Sequence, residues 1–445
     1  MYLLMNNLNP YNILMLSTHD VEGGATTWFM HLAEVLYNVG YNIAVVVKYK
    51  KSTLSYVYPV KQLPKDSKIK RLVNKYFVHR EEDIFFESKP EYAFFPFETE
   101  FSNCYSAQQI MDVVPFSPNL IITGLTYELA NTSTLHDLYT ICKVPIYMTA
   151  FDVNVFTGGC HAHFDCQGYK YSCSSCPGII NRKRQKEVQE SFAIKLDNIK
   201  KANIGVLYAA PWTKYLSYQS VCFEHNPKCD IGMCIDTDFY TNTNRDIAKR
   251  IFKLPNNSFV IFAGSANVTD KRKGFISYVE SLKLLWDLLP QSYRDNVYIM
   301  LAGRNIKQID KYIKSIPPFH VHYIDFISDF RLLSLAYQAS NLFVCSSLED
   351  AGPMMVAEAM SCGTPVVGYR TGLMFDQSII RNGIEGYSVE IANHNDLARA
   401  MRDIVMLSTE EYTEMSNNCR SRAKELLSKD AFLCNVKKIL FELEN

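Results

Sequence analysis

Two carboxylates in the C-terminal third of the chain, Asp350 and Glu358, are separated by seven residues inside Ser346–Val367, SSLEDAGPMMVAEAMSCGTPVV. Gly352-Pro353 breaks the chain between them, and the good helix formers Met354 to Met360 follow. Glu358 is therefore expected on a helix, and Asp350 at the end of the apolar strand Leu342 to Cys345. A helical carboxylate can accept two hydrogen bonds from a vicinal diol, as acids in dinucleotide folds do with ribose. Asp350, where the backbone turns, can face sugar hydroxyls together with nearby amides. A nucleotide-sugar is the ligand this segment suits; the bland alternative is a pair of solvated charges.

A second candidate site is Gly264 to Gly274, GSANVTDKRKG, between an apolar strand and a helix start. Lys271, Arg272 and Lys273 beside helix N-terminal amides suit a diphosphate, though a basic surface turn would read the same. Near the N-terminus, Thr18 to Ala25 (THDVEGGA) places Gly23 and Gly24 between a strand and a helix that Thr26 or Thr27 can cap. Such a turn at the carboxyl end of a parallel sheet is the usual place for an anionic ligand, but many only join elements.

Four of the thirteen cysteines, Cys160, Cys166, Cys173 and Cys176, fall within seventeen residues of the stretch Phe156 to Pro177, FTGGCHAHFDCQGYKYSCSSCP, with His161 and His163 between them. The closing C-x2-C pair can bite a metal at adjacent corners of a tetrahedron, whereas the opening C-x5-C pair is looser than usual. The expectation is a structural zinc held by the four thiolates, with His161 able to replace one. Reduced loop cysteines and a redox-active pair are the alternatives. Four thiolates would close the metal's shell, so no catalytic metal is expected.

These groups need two sheets to position them. Asn12–Ser17, Tyr41–Val47, Asn119–Thr123, Pro145–Thr149 and Gly205–Ala209 read as buried strands, with helices between, one over Arg182 to Lys201. A second series begins at Phe259–Ala263 and continues through Val297–Ala302, Val321–Tyr323, Leu342–Cys345 and Pro365–Val367. Strands alternating with helices at this spacing predict two doubly wound parallel sheets. Thr241 to Arg250 is the expected hinge. The domains expected are residues 1–240, with the cysteine-rich insertion at 156–180, residues 241–428, and a C-terminal helix at 429–445.

The 445 residues exceed one ordinary core, and the 48% hydrophobic content suffices for two. A formal net charge of zero, with only Lys170 among the cysteines, argues against a nucleic-acid partner. No apolar run approaches the roughly 18 residues of a spanning helix, and Met1 to Tyr11 shows no export signal. A cytoplasmic location with reduced thiols is the expectation. Lys61 to Arg80 carries seven cations and one acid, Asp66. It is either a solvated face or a patch for anionic lipid headgroups at the inner face of the membrane.

With these residues in view, the chain resembles glycosyltransferase family 4, retaining enzymes of GT-B architecture, in which two Rossmann-like α/β domains face a cleft. The resemblance is strongest from Tyr337 to Tyr387, where Asp350 stands in place of the family's first Glu. The TGGCH…C…C…CP stretch is similar to a bacterial branch acting in capsule, O-antigen or exopolysaccharide assembly. The resemblance implies that Glu358 holds the nucleotide ribose and that Asp350, with amides near Gly352, holds the donor sugar. It implies that Lys273, with Gly264 and Arg272, contacts the diphosphate, and that Gly23, Gly24 and Asp152 serve the phosphate and acceptor side. Ser265 follows Gly264 where the family has Arg, and Phe151 precedes Asp152 where the family has His.

The activity so implied is transfer of a sugar from a nucleoside-diphosphate sugar to a hydroxyl of a glycan or lipid-linked acceptor. Anomeric configuration would be retained, without a divalent metal. Phe151 supports a competing expectation, a non-catalytic GT-B partner that binds sugar nucleotides or glycans for another transferase.

Overall fold

A computed structural model describes residues 11–21, 23–61, 88–94, 99–102, 104–181 and 184–444. Residues 62–80 of the basic stretch Lys61 to Arg80 lie outside the described residues. The chain divides into two compact units. The first comprises Met1–Ala209, Thr213–Ile231 and Val436–Asn445; the second comprises Ala210–Trp212 and Gly232–Asn435.

In the first unit β1 (Asn12–His19), β2 (Asn42–Tyr49), β3 (Val57–Pro59), β4 (Leu120–Thr123), β5 (Ile146–Thr149), β6 (Gly205–Tyr208) and β7 (Lys228–Asp230) form one sheet. Its order is β3-β2-β1-β4-β5-β6-β7 and every pairing is parallel. Parallel strands are covered on both faces, which is why ILML and IAVVV are continuous apolar runs that bury almost completely. The helix Gly24–Asn38 packs Trp28, Phe29, Leu32, Ala33 and Leu36 inward. Neither threonine caps it. Gly23 is the N-cap at φ 80°, and the backbone N–H and hydroxyl of Thr27 both donate to the Gly23 carbonyl at 3.0 Å.

The second unit holds β8 (Phe259–Asn267), β9 (Val297–Arg304), β10 (His320–Ile324), β11 (Leu342–Cys345), β12 (Val366–Tyr369) and β13 (Gly386–Val389). They are parallel in the order β10-β9-β8-β11-β12-β13. Ile261, Ile299, Leu301, Val344 and Val367 from the strands meet Tyr278, Leu282, Leu285 and Met401 from the helices in a closed core. The expected hinge is different in kind. Thr241 to Arg250 lies inside the second unit, and Arg245–Ile251 is a helix that buries Ala248. Strand β8 runs four residues past the expected Ala263, so Gly264 sits within a strand and not in a turn.

Candidate functional site

The second unit brings Lys273 and Asp350 together from opposite sides of the β8–β11 junction. Asp270 caps a short 3-10 turn, Lys271–Lys273, by accepting from the Arg272 N–H at 3.0 Å. Gly274 then turns the chain at φ 62° into the helix Phe275–Leu288. A Cβ at Gly274 would stand 1.9 Å from the Ser346 carbonyl oxygen, so only glycine lets the two loops approach this closely. Across that contact the Ser346 hydroxyl donates to the Lys273 carbonyl at 2.9 Å, and the Leu348 N–H donates to the Arg272 carbonyl at 2.6 Å.

The result is an ion pair between Lys273 Nζ and Asp350 Oδ2 at 2.5 Å, with the side chains 27% and 13% exposed. The Gly352 N–H donates to Asp350 Oδ1 at 3.3 Å, and the Asp350 backbone N–H donates to the Thr371 hydroxyl at 3.0 Å. Burial works to raise the Asp350 pKa. The charge and hydrogen bond of Lys273, helped by Arg272, outweigh it and hold the carboxyl below the usual carboxylate range. Arg272 itself pairs with Asp270 at 2.9 Å. Gly264, Lys273 and Ser346 line a small cavity of about 20 Å³ at the carboxyl end of β8.

Glu358 lies on the helix Met354–Ser361 and is 5% exposed. Its two carboxylate oxygens accept from different phenols, Oε1 from the Tyr240 hydroxyl at 3.0 Å and Oε2 from the Tyr337 hydroxyl at 2.7 Å. Burial dominates, so the Glu358 pKa is raised despite both hydrogen bonds. An ionised carboxylate has about four lone-pair positions, so one on each oxygen is not used by these two hydrogen bonds. Arg420 fixes the backbone here by donating to the carbonyls of Tyr240 and Ser361. Neither tyrosine was singled out in the sequence. Tyr240 is 118 positions from Glu358 and Tyr337 is 21, and no local spacing links them.

In the first unit Asp152 holds a histidine that the sequence reading assigned elsewhere. His161 Nδ1 and Asp152 Oδ2 are 2.6 Å apart, and the Asn154 amide nitrogen is 3.3 Å from His161 Nε2. Asp152, Asn154, His161 and Thr126 line a cavity of about 60 Å³. Phe151 instead packs edge-on against Trp28 and Phe29, with centroids 5.2 and 6.0 Å away. An imidazole thus reaches Asp152 from nine residues downstream, although the residue before Asp152 is apolar. Gly23 and Gly24 have open space where a Cβ would stand.

The expected zinc site requires correction. Cys160, Cys166, Cys173, Cys176 and His163 do line one small cavity. Among the described residues, however, no three His, Cys, Asp or Glu side chains stand where they could hold a metal ion. All four cysteines are free thiols, and burial pushes Cys173 up to about 12 and raises Cys160 well above the ordinary thiol value. Zinc is not supported. The cysteines are gathered by packing: a Cβ on Gly168 would sit 3.4 Å from Cys166 Sγ and 3.6 Å from Cys173 Sγ.

The two sheets, their parallel order and the crossover helices define the GT-B class of fold. Residues 245–425 match the family described as Glycosyl transferases group 1, the region that carries Gly264, Lys273, Asp350 and Glu358. A D-inositol 3-phosphate glycosyltransferase of Geodermatophilus obscurus is 30% identical over 106 residues, which is 24% of this chain and 20% of that protein. The chain therefore spans about a fifth of that relative's length. A glycosyltransferase structure from Rickettsia africae superposes with a TM-score of 0.64 at 14% identity, covering 98% of this chain and 100% of that one. Anabaena HepE in complex with UDP-glucose gives 0.62 at 14% identity, covering 97% and 99%.

Proposed function

We propose that the protein is a glycosyltransferase that moves a sugar from a nucleoside-diphosphate sugar to a hydroxyl of a glycan or lipid-linked acceptor. The observation that carries the reading is the Lys273–Asp350 pair at the carboxyl ends of β8 and β11, with Glu358 eight positions further on. Ligands of open α/β sheets bind at those strand ends. Lys273 meets the diphosphate. Its ammonium stabilises the charge that builds on the leaving phosphate, so no protein acid is needed to cleave the donor. Asp350 keeps Lys273 extended before the donor arrives and afterwards accepts from a sugar hydroxyl. Glu358, oriented by Tyr240 and Tyr337, uses its remaining lone pairs for the ribose diol.

The acceptor side is assigned to the Gly23–Gly24 turn and to Asp152, with His161 held against it. The transfer proceeds with retention, without a divalent metal, and serves capsule, O-antigen or exopolysaccharide assembly at the cytoplasmic face of a membrane. No helix among the described residues is long and apolar enough to cross a membrane. UDP-glucose is the first donor to test, since HepE carries it in its structure. Released UDP, measured with a panel of sugar nucleotides, tests the reading. Slow donor hydrolysis that falls at least a hundredfold in Lys273→Ala is expected. No turnover with any donor, alongside tight sugar-nucleotide binding, would favour the non-catalytic partner.

A further inference from the structure

A sizeable cavity of the second unit lies away from the carboxyl ends of its strands. It opens at the opposite edge of the same sheet, at the amino ends of β8 and β9, as a cleft of about 750 Å³, within the range of small-molecule sites. Eight residues of β9 at about 3.3 Å each place it roughly 26 Å from the Lys273 edge. None of its lining residues is acidic, and two are cations, Arg245 and Lys249.

Lys249 is 3% exposed, and its ammonium donates to the carbonyls of Asn256 at 3.0 Å and Ser258 at 2.6 Å, which leaves one N–H. Among the described residues no carboxylate stands within ion-pair distance of either cation. The Arg245 Nη1 donates to the Ser340 carbonyl at 3.0 Å and the Tyr412 hydroxyl at 3.1 Å, while Nε and Nη2 keep their three N–H donors. Burial and the neighbouring guanidinium push the Lys249 pKa down to about 8, against a smaller opposing effect of Asp246. Two buried or half-buried cations without a counterion are costly, and a bound anion would relieve that cost.

The rest of the wall suits hydroxyls. Amides of Asn256, Asn296 and Asn417 offer both donors and acceptors, and Tyr412 supplies a ring beside the guanidinium. We propose that this cavity is a second ligand site, distinct from the donor site, that takes a phosphorylated sugar. Two adjacent cations match the dianion of a phosphate monoester; a carboxylate would balance only one. The site needs nothing from Lys273, Asp350 or Glu358, so it stands or falls independently of the transferase reading.

Titration calorimetry of the full chain tests it, with glucose 6-phosphate, glucose, glucuronate and inorganic phosphate as probes. Glucose 6-phosphate is expected to saturate one site in the wild type and equally in Lys273→Ala. In Lys249→Gln it should bind roughly tenfold more weakly, the loss of one charge-assisted contact. Because Lys249 also holds the 256–258 turn, Asn417→Asp is the second variant. Asn417 is exposed, and the new carboxylate at the rim should weaken binding without altering the thermal midpoint. Binding lost in Lys273→Ala but kept in Asn417→Asp would overturn the proposal by placing the ligand on the diphosphate loop. No saturation at millimolar concentration would also overturn it. Equal affinity for glucuronate would refute the dianion match, and equal affinity for inorganic phosphate would refute the sugar.

Discussion

Replacing Lys273 by alanine should separate two roles of one side chain. The Lys273–Asp350 pair is at 2.5 Å, and both partners are largely withdrawn from water, at 27% and 13% exposure. Removing one member of a fully buried pair costs about 3–5 kcal/mol, because the other charge is left uncompensated. Partial exposure of Lys273 allows some screening, so about 2 kcal/mol is the expected loss here. For a domain of this size that corresponds to roughly 4–8 °C in the midpoint of thermal unfolding. The pH dependence follows from the same contact. Asp350 is held below its ordinary pKa in the folded protein, so its contribution is present above the unfolded value of 3.8 and is lost as pH falls through the lower folded value. In Lys273→Ala the opposing effect of burial is left dominant, and that contribution should disappear.

Asp350→Asn in the Lys273→Ala background removes the stranded charge and should recover most of the lost stability. It would not restore the cation proposed to meet the departing diphosphate, whose loss is expected to cost at least about 3 kcal/mol, a hundredfold or more in kcat. Thermal denaturation and UDP-release kinetics on the two single variants and the double variant supply the cycle. Turnover unchanged in Lys273→Ala would refute the role of the loop. A double variant no more stable than Lys273→Ala would refute the account of the pair.

Three other outcomes are expected. Tyr337→Phe deprives the buried Glu358 carboxylate of its 2.7 Å donor, which should cost about 1–3 kcal/mol by denaturant titration, whereas Glu358→Gln in that background should cost less. With Glu358 in its proposed role on the ribose diol, UDP affinity should fall as pH drops through the raised pKa of Glu358, because the protonated acid loses acceptor capacity; calorimetry should show that dependence abolished in Glu358→Gln. Gly274→Ala puts a Cβ against the Ser346 carbonyl at positive φ and must push the 346–350 loop away from Lys273, so a loss of more than about 1 kcal/mol and weakened UDP binding are expected.

What the residue pattern alone determined follows from local physics. Short apolar runs rich in β-branched or aromatic residues, such as IAVVV and LFVC, fit strands covered on both faces, and their alternation with helices points to two parallel sheets. Ligand-holding groups of such sheets lie at the carboxyl ends of strands, so position and type single out Lys273, Asp350 and Glu358 as candidates. Thr241 to Arg250 was misread because nothing local distinguishes a polar linker from a short helix that packs Ala248 inward. The cysteine spacing allowed a tetrahedral site, but the backbone path between the thiols, not their spacing, sets where the sulfurs stand. Only the tertiary structure could decide which groups pair. Lys273 reaches Asp350 across 77 residues, two phenols from separate segments converge on Glu358, and His161 arrives at Asp152 beside an apolar Phe151. Each contact is a few ångströms long, and each is fixed by how strands are ordered in a sheet. Residue type records what a side chain can do; chain topology decides whom it meets.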